Sequence, residues 1–67
     1  MTAIGAHIDE TGRLHRDAAG FYLSRDHGGI FRLVLLRVPV DHVEKRVRVQ
    51  GVYAGDDVVE AEGVAAA

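Results

Sequence analysis

The sequence predicts an all-β fold. Three observations support this. Its apolar residues recur with a period of two rather than 3.6, the runs are short, and clusters of turn formers separate them. The first run, residues 2–9, sets Ile4, Ala6 and Ile8 on one side and Ala3, Gly5, His7 and Asp9 on the other. The second, residues 20–25, aligns Phe21 with Leu23, and the third, residues 29–36, aligns Phe31, Leu33 and Leu35. The fourth, residues 46–52, opposes Val47 and Val49 to Arg46, Arg48 and Gln50; the fifth covers residues 56–64. The turn clusters are "ETG", "DAAG", "DHGG" and "AGDD". In the longer connection "RVPVDHVEK", Pro39 bars a central strand and Asp41 can cap one helical turn through Lys45. The closing residues 65–67 are expected to fray.

Side-chain parity fixes two hairpins. Directly paired residues of an antiparallel hairpin share a face. Pairing Leu23 with Phe31 and Phe21 with Leu33 therefore unites the apolar sides of the second and third strands. It leaves Asp26, His27 and Gly28 as a three-residue loop with Gly28 at the left-handed position. The same reasoning pairs Val49 with Val59 and Val47 with Ala61, with Tyr53, Ala54 and Gly55 as the loop and Gly55 left-handed. That second register sets Arg48 opposite Glu60 and Arg46 opposite Glu62 on the outer face.

Composition narrows the class. The chain has 67 residues, enough for one domain, residues 1–67, with a thin stability margin. Eight Lys and Arg against ten Asp and Glu give a net charge of −2, where nucleic-acid binders usually carry a basic surplus. There is no cysteine for a disulfide or a thiolate metal site. No secretory signal and no apolar run long enough for a membrane span is evident, so a soluble cytoplasmic protein is expected. Five short strands with a turn or helical turn between the third and fourth suit a small OB-fold-like barrel.

The segments "GFYLSRDHGGIFRL", "KRVRVQG" and "GDDVVEAEGV" resemble those of a bacterial, sphingomonad-type domain-of-unknown-function family with an OB-fold-like barrel. The likeness spans most of the chain after Gly5. Chains of that type often have glycine before the "KRVRV" segment, where this one has Glu44. The resemblance implies the fold and brings no catalytic residue with it.

Catalytic constellations are not apparent. The one serine, Ser24, sits beside Arg25 and Asp26 with no base oriented toward it. Asp56 and Asp57 are adjacent, so in a strand they face opposite ways. His7, Asp9 and His15 can be imagined as metal ligands, but alternating polar residues on a solvated strand explain them as well. No metal or cofactor is expected. The glycines lack the lysine and the strand-to-helix setting of a phosphate loop.

Two binding readings remain. OB-folds commonly hold oligonucleotides on their second and third strands. Tyr22 beside Arg32 makes a stacking platform next to a cation, and Arg13, His15, Arg16 and Arg25 can add charge. Single-stranded nucleic acid is therefore the first ligand expected of a non-enzymatic binding module. The alternative is a homo-oligomeric or protein-docking scaffold. The inward set of the third strand leaves Ile30, Val34 and Leu36 on its other face, more apolar surface than a small barrel should expose without a partner. A fold-over of the turn after Pro39 would cover the same residues.

Overall fold

The computed structural model describes residues 3–36 and 40–67. The expectations for Thr2 and Pro39 lie outside the described residues. Five strands form one sheet: β1 (His7–Asp17), β2 (Gly20–Arg25), β3 (Ile30–Val34), β4 (Arg46–Gly55) and β5 (Val58–Ala66). The sheet closes in a ring in the order β1-β2-β3-β5-β4. All neighbours are antiparallel except β3 and β5, which run parallel. The only helical element described is a single 3₁₀ turn, Val40–His42, so the all-β barrel-like expectation holds.

β1 departs most from expectation. It starts at His7 rather than residue 2, and Ile4 is 77% exposed outside it. It then runs through "ETG", which the sequence marks as a turn, to Asp17. Residues 7–13 pair with β4 and residues 12–17 pair with β2, so the strand passes from one neighbour to the other at Gly12 and Arg13. Close approach explains the glycine: a Cβ on Gly12 would lie 2.1 Å from the carbonyl oxygen of Ser24. What looked like turn chemistry is strand-crossing chemistry, and Leu14 beyond it is fully buried.

The first hairpin follows the expected register. Leu23 pairs with Phe31 and Phe21 with Leu33. The Arg25 amide donates to the Gly29 carbonyl at 3.0 Å, and Gly28 has φ +100°. The second hairpin does not follow its expected register. Val49 pairs with Val64 and Val47 with Ala66, while Tyr53 pairs with Val59. The loop is two residues, Asp56 and Asp57, both left-handed with φ 52° and 60°; Gly55 is left-handed too, at 93°. Irregularities at Gln50/Gly51 and Tyr53/Gly55 let Ala54 and Glu62 drop out of the pairing. The physical reason is Tyr53. A place at a loop tip would expose its ring, whereas the observed register packs it against Phe31, with centroids 6.0 Å apart. The same slip makes residues 65 and 66 part of β5 rather than a frayed tail.

The interior forms two joined clusters. Leu14, Leu23, Val47, Val49 and Ala61 make one, with Phe21, Leu33, Leu35, Val43 and Val64 against it. Ile8, Phe31 and Val59 make the other, bordered by Leu33 and Tyr53. The connection to β4 is tied to β1 through the Leu14 amide to the Lys45 carbonyl (3.0 Å) and the Glu44 amide to the Leu14 carbonyl (2.7 Å). Asp41 lies inside the 3₁₀ turn rather than capping a longer helical turn.

Candidate functional site

Alternation along the strands produces two outward-facing rows. The first crosses β1, β2, β3 and β5 as His15, Tyr22, Arg32 and Val58. Here the expected neighbours Tyr22 and Arg32 do meet: the guanidinium carbon lies 5.1 Å from the Tyr22 ring centroid. His15 stacks on the same ring from the opposite strand, centroid to centroid 5.0 Å with planes 22° apart. These separations match the inter-strand spacing, so Tyr22 is flanked on both faces by side chains of its own sheet. Each end of the stack meets a carboxylate. Arg32 forms a two-pronged pair with Asp17 at 2.6 and 3.0 Å, and His15 Nδ1 lies 3.2 Å from Glu44 Oε1.

The other expected cations do not join this platform. Arg13 faces outward but donates to the Glu44 carbonyl at 2.5 Å. Arg16, which is exposed, and Arg25, which is half-buried, stand opposite Phe21 and Gly12. Their guanidinium carbons lie 5.7 Å from the Phe21 ring centroid and 4.2 Å from that of Phe31. Arg25 also lies 3.7 Å from Glu10.

Arg46 and Arg48 do not pair with Glu62 and Glu60. The register slip carries those glutamates away, and the arginines bind Asp26 and Asp9 instead. The Arg48 guanidinium, with help from Gln50, holds the Asp9 carboxyl at about 2, below its ordinary 3.8. Arg32 and Arg46 lower the carboxyls of Asp17 and Asp26 in the same direction, with Thr11 also donating to Asp26 at 2.7 Å. Four of the six described arginines thus have a carboxylate partner.

The second outward row is Val34, Glu60, Val52 and His7 across β3, β5, β4 and β1. Around it lies a groove of about 390 Å³ lined by Val34, Leu36, Val52, Ala61, Glu60 and Glu62. Val34 is 53% exposed and Leu36 98%. Ile30, the third residue expected of an apolar patch, is exposed but stands on the far side of Arg32 and outside the groove. Among the described residues neither Glu60 nor Glu62 has a cationic partner, and no cluster of three or more potential metal ligands exists.

Sequence parity could have placed Val52 outward, since it is out of step with Val47 and Val49. Glu60 and Glu62 were hidden by the register that assigned them to arginines.

A family model matches residues 11–67, from the middle of β1 to the end of the chain. The chain belongs to DUF5818, described as a protein of unknown function. The DUF5818 match takes in Gly12, both hairpins and every residue of the groove. No curated protein and no solved structure matches the chain. No helix among the described residues is long and apolar enough to cross a membrane.

Proposed function

We propose that this DUF5818 domain is a non-enzymatic docking module of OB-fold type that binds a protein partner through the groove beside β3 and β5. The observation that carries the reading is the contrast between the two outer rows. On the Tyr22 side Arg32 is paired with Asp17, whereas the groove has an apolar floor and, among the described residues, no cationic partner for Glu60 or Glu62 on its rim. A surface of that kind suits a partner with apolar and basic groups and repels a phosphate backbone. The OB-fold assignment is supported by the ring order, by β1 pairing with both β2 and β4, and by the parallel contact of β3 with β5. The bacterial, cytoplasmic setting expected from the sequence goes with this proposal. The absence of catalysis is supported by Ser24, whose cross-strand neighbours are Arg13 and Ile30 rather than a base.

Single-stranded nucleic acid on the β2–β3 face is the second reading, favoured by the His15–Tyr22–Arg32 stack. To accept a base there, the domain must open that stack and free Arg32 from Asp17. Photo-crosslinkers placed at positions 52 and 22, in cells that make the protein, separate the two readings. A discrete protein adduct from position 52 that disappears with Leu36→Asp is expected. Nucleic-acid adducts from position 22, with none to protein from position 52, would reverse the order of the two.

A further inference from the structure

Of the two tyrosines and two phenylalanines, Tyr22 alone lies outside both core clusters. Its ring stands outward on β2 between His15 and Arg32. Three described arginines are hydrogen-bonded to an aspartate, and Arg32 is the one of them that also lies over a ring. It starts on β3 and reaches past β2 to the end of β1. There Asp17 accepts from its two terminal nitrogens at 3.0 and 2.6 Å. Asp17 Oδ1 also accepts from the Ala19 amide at 2.9 Å, so the turn between β1 and β2 fixes the carboxylate in place. Two parallel N–H···O bonds to one anion are also the way a guanidinium holds phosphate.

We infer that Asp17 is a built-in stand-in for phosphate that keeps the β2–β3 face closed, so that single-stranded nucleic acid enters only when its phosphate displaces Asp17 from Arg32. This rests on the second reading above and is independent of the groove. While Arg32 is held by Asp17 it covers one face of Tyr22, and His15 covers the other. Once released, Arg32 can turn to a phosphate and leave its side of the ring to a base, with His15 still supporting the far side. The closure is reversible: Arg32 is 36% and Asp17 40% exposed, and ion pairs open to water are weak. Inorganic phosphate would only exchange one anion for another at Arg32. A strand adds the stacked base, which selects it as the ligand.

Titration of the whole domain with an eight-residue oligothymidylate tests this, in the parent, Asp17→Asn and Asp9→Asn. The salt is set at about 0.1 M, where charges more than about 10 Å apart are screened. Asparagine at position 17 keeps an acceptor for the Ala19 amide and loses the charge that holds Arg32. Asp9→Asn removes the same charge from the Arg48 pair, away from Tyr22. Asp17→Asn should bind at least about fivefold more tightly than the parent, the upper contribution of one exposed ion pair, with shifts at His15, Tyr22 and Arg32. Asp9→Asn should give no such gain, and Tyr22→Ala added to Asp17→Asn should cancel it. Equal gains from Asp17→Asn and Asp9→Asn would trace the effect to net charge and overturn the inference. So would Asp17→Asn binding that survives Tyr22→Ala. A parent that binds through Tyr22 as tightly as Asp17→Asn would overturn the closure and leave nucleic-acid binding on this face standing. No binding by any of these proteins at millimolar strand would overturn both.

Discussion

Substituting Gly12 by alanine strikes the point where β1 passes from β4 to β2. The new methyl would stand 2.1 Å from the Ser24 carbonyl oxygen, 2.8 Å from the Ser24 carbonyl carbon and 2.9 Å from the Arg25 Cα. Ordinary contact begins near 3.4 Å, and all three atoms belong to the β2 backbone. No rotamer change relieves that clash, so the two strands must separate. Overpacking costs about 1–3 kcal/mol when side chains can give way, and a backbone clash belongs at or above the top of that range. A domain of this size has about 3–10 kcal/mol in total, and each kcal/mol is about 4–8 °C of melting temperature. Gly12→Ala should therefore lower the midpoint by roughly 12–24 °C or abolish the transition. Gly63→Ala is the control: its methyl meets nothing within 4 Å, and the midpoint should hold or rise slightly. Thermal melts followed by circular dichroism, with urea unfolding alongside, give both values. If Gly12→Ala melts with the parent, β1 does not cross β2 at that residue and the continuous first strand is wrong.

Three further outcomes follow from the backbone and the charges. Glu44 holds φ +65°, so Glu44→Gly should raise stability by up to about 1 kcal/mol in urea unfolding, glycine's entropy offsetting part of the relief. Asp57→Gly should also stabilise, because left-handed conformations at both turn residues are those of a type I′ hairpin, which favours Asp-Gly; a loss of stability would speak for a longer loop. Arg48, Arg32 and Arg46 depress the carboxyls of Asp9, Asp17 and Asp26, so their stabilisation is complete above the unfolded carboxyl range, near about pH 4. It is lost as pH falls toward the Asp9 value of about 2. Urea midpoints measured from pH 5 to 2 should fall across that window, and less steeply in Asp9→Asn.

The sequence made the first hairpin readable because two independent signals agreed there. The Phe21, Leu23, Phe31 and Leu33 parity and the glycine at position 28 specify one register. In the second hairpin they did not converge. Val47, Val49, Val59 and Ala61 do all face inward, so parity alone accepts several registers, and two irregularities shift the pairing without disturbing that pattern. Tyr53 decides among them by packing on Phe31, a contact between distant parts of the chain that no local pattern reports. Gly12 misled for a related reason. A glycine after Glu-Thr signals a turn locally, while its role here is set by the approach of β2.

The candidate site inherited these strengths and errors. Tyr22 and Arg32 were legible as neighbours because the first register was correct, yet their flanking by His15 and Asp17 required knowing where β1 runs. Val34 and Leu36 were legible as exposed apolar residues. Their companions Glu60 and Glu62 were not, since the register read from parity gives them to Arg48 and Arg46. The shift from nucleic acid toward a protein partner as the favoured ligand follows from where those two carboxylates stand.

The most direct measurement is an amide and methyl chemical-shift map of the labelled domain at low salt, first with oligothymidylate and then with a short peptide of valine and lysine, the apolar and basic chemistry proposed for the groove's partner. The account expects the peptide to move Val34, Leu36, Val52, Ala61 and Glu62, with His15, Tyr22 and Arg32 unmoved by either ligand. Saturable shifts at His15, Tyr22 and Arg32 with oligothymidylate, and none in the groove with the peptide, would contradict it.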